Sequence, residues 1–137
     1  MGHVCLKEMD ADAGNDCWGW TDLTTGREYA IMGVDNGTVF IDITDPTNPL
    51  YLGKLPTATV DSSWRDMKVY NDHVYIVSEA QDHGLQVFNL SKLRGVESKQ
   101  VFSADYIDNS FGNAHNIAIN EESGYAYIAG AGNKGIY

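Results

Sequence analysis

The sequence predicts an all-β fold built from three similar antiparallel units. Three stretches share one plan, in which about five residues rich in Tyr, Ile and Val precede a turn of Gly, Asp and Asn, and a second strand then opens on glycine. Apolar residues at helical spacing are nearly absent, and NLSKLRGVES fits one helical turn at most. The three stretches are REYAIMGVDNGTVFIDIT (27–44), DHVYIVSEAQDHGLQVFNLS (72–91) and GYAYIAGAGNKGIY (124–137), with opening glycines Gly37, Gly84 and Gly135.

Two further strands are predicted before each of these hairpins. The nearer ones are NDCWGWTD (15–22), SSWRDMKVY (62–70) and NAHNIAIN (113–120), each followed by a hairpin turn. The outer ones are HVCLKEM (3–9), LYLGKLP (50–56) and KQVFSADY (99–106). The whole chain, 1–137, therefore reads as a single segment of three four-stranded units at about 3–44, 50–91 and 99–137, the last of them truncated.

A repeat of 40 to 50 residues with four antiparallel strands is typical of the blades of a β-propeller. The four consecutive apolar residues at 74–77 indicate that both faces of the middle strands are covered, as they are when blades pack face to face. A sandwich with one wet face would alternate more regularly. The alternative is a β-sandwich in which the repeats are coincidental.

Four stretches together resemble the LVIVD-repeat β-propellers of the choice-of-anchor B family, which are exported bacterial proteins. They are NDCWGWTDLTTGREYAIMG, NGTVFIDITDPTNPLYLGKLPT, SSWRDMKVYNDHVYIVSEAQDHGLQVFNL and FGNAHNIAINEESGYAYIAG. The resemblance implies a propeller outside the cell or at its surface, with no established catalytic activity. Family members are several blades longer, whereas the third unit here stops at KGIY, so we expect a fragment or a part-ring. Two copies would make a six-bladed ring, which predicts a homodimer.

The charge of the chain restricts its partners. Nine basic and nineteen acidic residues among 137 give a net charge of −10, without any cluster of Lys or Arg. This excludes nucleic acid as an expected partner and favours cations or neutral ligands such as sugars. No apolar run approaches the roughly 20 residues of a membrane span, and no signal peptide is evident.

Aligning the nearer strands predicts a polar ring at the mouth of a central channel. The alignment places Trp18, Trp64 and His115 at equivalent positions. The predicted function of the ring is to bind a small polar ligand or a cation, with Trp18 or Trp64 as a flat apolar wall. Alternatively, the polar groups satisfy each other and the tryptophans pack between blades. Residues of the ring are Asp16, Arg65, Asp66, Asn113, His115 and Asn116, and the predicted ligand contacts are Trp18, Trp64, Arg65, Asn113 and Asn116.

The stretch DADAGND (10–16) predicts a possible Ca²⁺ loop. Asp10, Asp12 and Asp16 are short carboxylates of the kind that converge on a hard cation. The EF-hand pattern fails, because Gly14 and Thr21 stand where it requires acids. The alternative is a solvated connection between strands.

Two functions of different classes remain open from the sequence. The first is a non-catalytic extracellular scaffold or binding module, and the second is a hydrolase using Asp16, Asp66 and His115, with a divalent cation as an option. No G-x-S-x-G elbow or H-E-x-x-H helix is present. Cys5 is expected on an outer strand and Cys17 on an inner one, too far apart for a disulfide. His73 and His83 lie on predicted loops, where exposed side chains are expected.

Overall fold

The computed structural model describes residues 2–132 and 135–137 and is rich in β-structure. A 3-10 helix at Leu90–Leu93 corresponds to the single helical turn that the sequence allows. The strands are β1 (Gly14–Asp22), β2 (Arg27–Val34), β3 (Gly37–Asp42), β4 (Leu50–Pro56), β5 (Arg65–Tyr70), β6 (His73–Ser78), β7 (Leu85–Asn89), β8 (Gln100–Val101), β9 (Tyr106–Asp108), β10 (Asn116–Asn120) and β11 (Tyr125–Ala129).

The strands form three sheets, and the predicted all-β fold with blade-like antiparallel repeats is confirmed. The first sheet has the order β1-β2-β3-β4-β8, the second β5-β6-β7-β9, and the third β10-β11. In each sheet the strand predicted to lie nearest the hairpin pairs antiparallel with the first hairpin strand. In the third hairpin Ile136 forms a bridge to Ala129, while Lys134 of the predicted KGIY strand lies outside the described residues.

The predicted grouping of the outer strands is wrong by one strand. LYLGKLP does form a strand, β4, but it pairs with β3 and so completes the first sheet instead of beginning the second. The connection between β3 and β4 is short, so an antiparallel pair forms locally. Leu52 and Leu55 thereby enter the same core as Phe40 from the first sheet.

The predicted strand at 99–106 is divided between two sheets. β8 pairs parallel with β4, whereas β9 pairs with β7 and completes the second sheet. Gly53 permits the parallel contact, because its φ of 134° is open to glycine and a Cβ there would lie 2.0 Å from the Gln100 carbonyl oxygen. Phe102, just after β8, packs against both Phe40 and Phe88.

The predicted outer strand at 3–9 does not form. Residues 6–10 make turns, and the Cys5 amide is capped by the Glu8 carboxylate at 2.7 Å. Met9 is buried against Val39 on the face of the first sheet that points away from the second. Apolar residues at 4, 6 and 9 therefore pack onto a sheet face and do not pair along an edge. Cys5 lies in this segment and Cys17 on β1, and both thiols are free.

The main hydrophobic core lies between the first and second sheets. Its aromatic centre is a stack of Phe40 on Phe88, with ring centroids 4.9 Å apart. Full burial of such side chains contributes roughly 1.5–3 kcal/mol each. The buried members are Trp20, Tyr29, Ile31, Phe40, Leu52, Leu55, Met67, Val74, Ile76, Phe88, Leu90, Leu93 and Phe102.

A smaller core joins the second sheet to the third. Val77 packs there with Ile117 and Ile128, and Tyr75 covers its margin. β5 contacts both β1 and β10, so the three inner strands lie side by side. The three sheets thus follow each other face to face, as the repeats predict.

Arg65 holds the first two sheets together from inside their interface. Its side chain is 2% exposed, and its Nε and Nη2 atoms donate to the Val34 and Asp35 carbonyls at 2.7 and 3.0 Å. Nη1 lies 3.1 Å from Nε2 of His83. Because Nδ1 of His83 faces the Gly84 carbonyl at 3.0 Å, Nδ1 donates and Nε2 accepts from Arg65.

His83 is therefore buried and neutral, which corrects the expectation of an exposed loop histidine. Burial is the largest cause that lowers the pKa of His83, to about 4, and the neighbouring Arg65 charge adds to it. Burial also lowers the pKa of Arg65 to about 10, which leaves the guanidinium charged at neutral pH. The pair is a charged donor with a neutral acceptor.

Polar contacts also join the two sheets at the opposite end of the interface. Arg94 binds the buried Asp22 carboxylate through two hydrogen bonds of 2.7 and 2.8 Å. These bonds hold the pKa of Asp22 well below its usual range. The Trp20 indole donates to Asp72 at 3.1 Å. Among the described residues, no helix has the length and apolarity that a membrane span requires.

The state of His83 predicts how stability depends on pH. Between pH about 4 and 6.5 the unfolded chain binds a proton at this histidine that the folded chain does not, so stability falls as the pH falls. The full effect is about 3 kcal/mol. We expect urea unfolding at pH 7 and 4.5 to show this loss, and His83→Gln to reduce it. The exposed His3→Gln is the matched control, and an unchanged pH dependence in His83→Gln would contradict the assignment.

Candidate functional site

A cleft of about 550 Å³ opens where the inner strands β1, β5 and β10 come together. One side is polar and the other is an apolar wall from the third sheet. The lining residues are Asn15, Asp16, Trp64, Arg65, Asp66, Lys68, His115, Asn116, Ile117, Ala118, Tyr127, Ala129 and Ile136.

β5 supplies the polar centre of the cleft. Asp66 and Lys68 are two residues apart on one strand, so their side chains leave the same face. The Asn15 side chain donates to the Arg65 carbonyl at 2.7 Å and joins β1 to the edge of β5. On the other side, the Asp66 carboxylate reaches β10. β5 therefore places polar groups toward both neighbouring strands, β1 and β10.

Asp66 is a buried carboxylate whose two oxygens are filled by hydrogen-bond donors. Oδ1 accepts from Lys68 Nζ at 2.7 Å and from the Met67 amide at 2.8 Å. Oδ2 accepts from the Ile117 amide at 2.8 Å and from the Asn116 side chain at 3.3 Å. Burial alone would raise the pKa of Asp66, but the hydrogen bonds from Asp16, Lys68 and Ile117 outweigh it and lower the pKa to about 2. Asp66 is therefore ionised and structural.

Asp16 has a different environment in the same cluster. Its side chain is 38% exposed, and its nearest carboxylate oxygen lies 3.9 Å from Lys68 Nζ, beyond hydrogen-bond distance. Partial burial and then the hydrogen bond to Asp66 raise the pKa of Asp16. The two carboxyls thus titrate as a pair, in which Asp16 is the first to bind a proton as the pH falls.

The ammonium of Lys68 is enclosed by groups of three kinds. Besides Asp66, it donates to the Met67 carbonyl at 2.9 Å. It also lies 4.5 Å from the ring centroid of Trp18, a cation–π contact. Lys68 therefore connects β5 to the aromatic side chain of β1.

The opposite rim of the cleft carries a second acid–base pair. His115 Nδ1 hydrogen-bonds to Glu79, and both side chains are more than a third exposed. The Trp64 ring is tilted by 41° against the His115 ring, with centroids 6.3 Å apart. Trp64 is 54% exposed and Tyr127 48%, so both present ring surface to solvent at the cleft.

The structure brings together six of the residues predicted for the polar ring or its wall. These are Asp16, Trp64, Arg65, Asp66, His115 and Asn116. Trp18 borders the cleft through Lys68. Asn113 does not line it, and its carbonyl instead accepts from the Gly132 amide at 3.2 Å. The Arg65 guanidinium is occupied by backbone carbonyls and His83, although the residue lines the cleft. No ligand role of these residues is tested, so each stays a prediction.

The predicted equivalence of Trp18, Trp64 and His115 stays a prediction. In the structure the three residues have different local settings. Trp18 lies within β1 opposite Ile31. Trp64 directly precedes β5, and His115 directly precedes β10.

The residues predicted to bind Ca²⁺ are not gathered at one place. Asp10 and Asp12 border a surface recess with Asp35, whereas Asp16 lines the cleft. The Asp12 amide donates to Asp35 at 3.1 Å. Within residues 2–132 and 135–137, no group of three or more His, Cys, Asp or Glu side chains is arranged to hold a metal ion. Calcium binding stays a prediction.

Sequence reasoning missed Lys68, Asn15, Glu79 and Tyr127. Lys68 carried a usable signal, since its position two residues after Asp66 on a strand places both side chains on one face. Glu79 and Tyr127 carried none, because each meets the cleft only through the packing of the third sheet against the second.

Two segments of the chain, 26–57 and 111–134, match the family model of the LVIVD repeat. The chain therefore carries LVIVD repeats, as the sequence resemblance implies. The first match covers the β2–β3 hairpin and β4, and the second covers β10 and β11. Neither a curated protein nor a solved structure shows a significant match to this chain.

The exposure of Trp64 predicts a small effect on stability when it is removed. Trp64→Ala should change the free energy of unfolding by less than about 1 kcal/mol, because its ring is not packed between sheets. Trp20→Ala is the matched comparison, since Trp20 is 6% exposed and stacks on Tyr29, and it should cost about 3–5 kcal/mol. Urea unfolding measures both, and equal losses would contradict the assignment of Trp64 to a solvent-facing wall.

Proposed function

We propose that this chain is a β-propeller repeat module of the choice-of-anchor B type, displayed outside the cell, that binds a small polar ligand without catalysis. The LVIVD matches and the succession of three face-to-face sheets support the propeller. The family resemblance supports the location. The inner strands β1, β5 and β10 would line the channel, so the cleft between them would be the binding site.

The binding function is supported by one difference among the side chains at the cleft. Some have all their partners inside the protein, and others are exposed to solvent. The buried Arg65 and Asp66 have their partners inside the protein, which suits a structural role. Trp64 and Asp16, by contrast, are partly exposed at the same cleft. An open aromatic face beside an open carboxyl is a common arrangement for holding a small polar molecule.

A second function, hydrolysis, is favoured by the carboxyl pair. Asp16, the carboxyl of the pair whose pKa is raised, lies beside an ionised Asp66 and is placed to act as a general acid with a fixed neighbour. Asp16 would donate its proton to the leaving group while the His115–Glu79 pair orients the attacking water. We rank this second, because both oxygens of Asp66 already accept hydrogen bonds from groups of the protein.

Binding is tested by titrating ¹⁵N-labelled protein with monosaccharides, amino acids and small amines. We expect at least one class to shift the amide signals of Asp16, Trp64 and Asn116, and Trp64→Ala to weaken that ligand at least tenfold. Leu23→Ala, an exposed apolar change outside the cleft, is the control.

The same samples distinguish binding from hydrolysis. Turnover of 4-nitrophenyl esters, phosphates or glycosides should be absent. If turnover is observed and Asp16→Asn abolishes it, the hydrolase function would replace the scaffold function. If no compound shifts any signal from the cleft, the binding function is refuted.

We also propose that the module self-associates through the third sheet, as a homodimer. Tyr29 and Tyr75 are covered by the next sheet, whereas Tyr125, which lies outside the cleft, is exposed on the corresponding face of the third sheet. A second copy is the occupant that we propose for this face. Residues 2–13 already cover the far face of the first sheet, and their turns provide no outer strand to pair with KGIY of another chain.

Native mass spectrometry at several concentrations tests the association. We expect a dimer that Tyr125→Lys shifts to monomer, because a charge in an apolar interface is costly. Leu23→Lys, which adds the same charge elsewhere, should leave the dimer intact. A monomer at every concentration, or equal loss in both variants, would contradict the proposal.

A further inference from the structure

The cleft already holds an organic cation, the side chain of Lys68. Its ammonium meets a carboxylate oxygen of Asp66 at 2.7 Å, the Met67 carbonyl at 2.9 Å and the face of Trp18 at 4.5 Å. A carboxylate, a carbonyl and an aromatic face are the groups that recognise an ammonium ion in proteins. They converge here on one point at the edge of an open cavity.

The cluster has one carboxyl more than Lys68 neutralises by direct contact. Asp66 takes the close ion pair, whereas Asp16 remains 3.9 Å away and partly exposed. Arg65 does not supply the missing charge directly, because its donors point to Val34, Asp35 and His83. The uncompensated acceptor therefore faces the cleft.

The opposite wall suits the carbon chain of a ligand. Trp64 and Tyr127 expose ring surface there, and Ala118 and Ala129 of the third sheet also line the cleft. An amphipathic molecule could place its alkyl portion on this wall and its charge toward Asp16. A neutral polar molecule would leave Asp16 without a counter-ion.

Lys68 has a route from the cluster to solvent. Its side chain is 22% exposed and lines the open cleft, so rotation about the bonds of its long alkyl chain can carry the ammonium into solvent. Asp66 would keep its backbone donors, Met67 and Ile117, after such a movement. The site therefore survives the departure of its own lysine.

We propose that the cleft is an alkylammonium site in which Lys68 is the resident cation and from which a primary amine displaces it. This inference rests on the proposed ligand-binding function and names the ligand class. The displaced lysine and the entering amine exchange places at Asp66, Asp16 and Trp18. No covalent step is involved.

The test compares three probes on the labelled protein: n-butylammonium, the neutral n-butanol and methyl α-glucoside. Lys68→Met should bind n-butylammonium at least tenfold more tightly than the unchanged protein, with no gain for n-butanol. Lys92→Met is the matched control, because Lys92 also pairs with a carboxylate, Asp105 at 2.5 Å, and lies 5.6 Å from a ring centroid, but away from the cleft.

A second measurement needs no variant. In the unchanged protein, the ring of Trp18 should shift the Lys68 ε-methylene signal upfield, and n-butylammonium should move it back as Lys68 leaves. Asp16→Asn should weaken this probe at least threefold.

The outcomes separate this inference from the proposed function. If methyl α-glucoside binds in a Trp64-dependent manner while n-butylammonium does not move the Lys68 signal, the ammonium site is refuted and the binding module stands. If n-butylammonium and n-butanol bind equally, the inference is also overturned. If no probe shifts a cleft signal in any protein, both proposals fail.

Discussion

The arrangement of this molecule depends on a buried guanidinium. Arg65 begins the inner strand of the second sheet, and its donors end on carbonyls at the β2–β3 turn of the first. A buried charge is costly unless its hydrogen bonds are complete, so this contact specifies one position of the sheets relative to each other. His83 completes the set only as a neutral acceptor, and the geometry thereby also selects its tautomer. The position of β5, and with it that of Asp66 and Lys68 in the cleft, follows from this contact.

Two aspartates in contact have opposite roles because of what surrounds them. Asp66 meets backbone amides from its own strand and from β10, so its negative charge is part of the junction between the second and third sheets. Asp16 has few such partners and keeps contact with solvent. The same residue type is therefore structural at one position and available at the other, which is why the cleft can be both firmly built and chemically open.

The sequence predicts the hairpins well because strand and turn signals are local. Tyr, Ile and Val runs and glycine openings locate β2, β3, β6 and β7 without knowledge of the fold. Partner choice is less local, which explains why β4 was assigned to the wrong sheet and why the apolar residues near Met9 were taken for a strand. Burial of His83 could not be inferred, since it results from an arginine eighteen residues earlier.

The candidate site shows the same difference between local sequence signals and contacts that only the packed sheets create. Composition and the repeat alignment brought most of the polar residues to one region. The three aligned residues have different surroundings, because Trp18 lies within β1, whereas Trp64 and His115 directly precede β5 and β10. Lys68 was not predicted, because one lysine in an acidic chain does not by itself indicate a site. Its importance comes from Trp18 on a neighbouring strand, and only the packed sheets bring the two together.

The short parallel strand β8 has a consequence for how the chain unfolds. The segment that leaves the second sheet after β7 crosses back to the edge of β4, places Phe102 in the main core, and only then returns as β9. The first two sheets are thereby interlocked by the chain itself, so neither can open without disrupting the other. Among the residues that the structure describes, the third sheet has two paired strands, a smaller core and no such crossing. Cooperativity in this molecule is therefore uneven: the first two sheets form one folding unit, and hydrogen exchange by partial opening begins at the third.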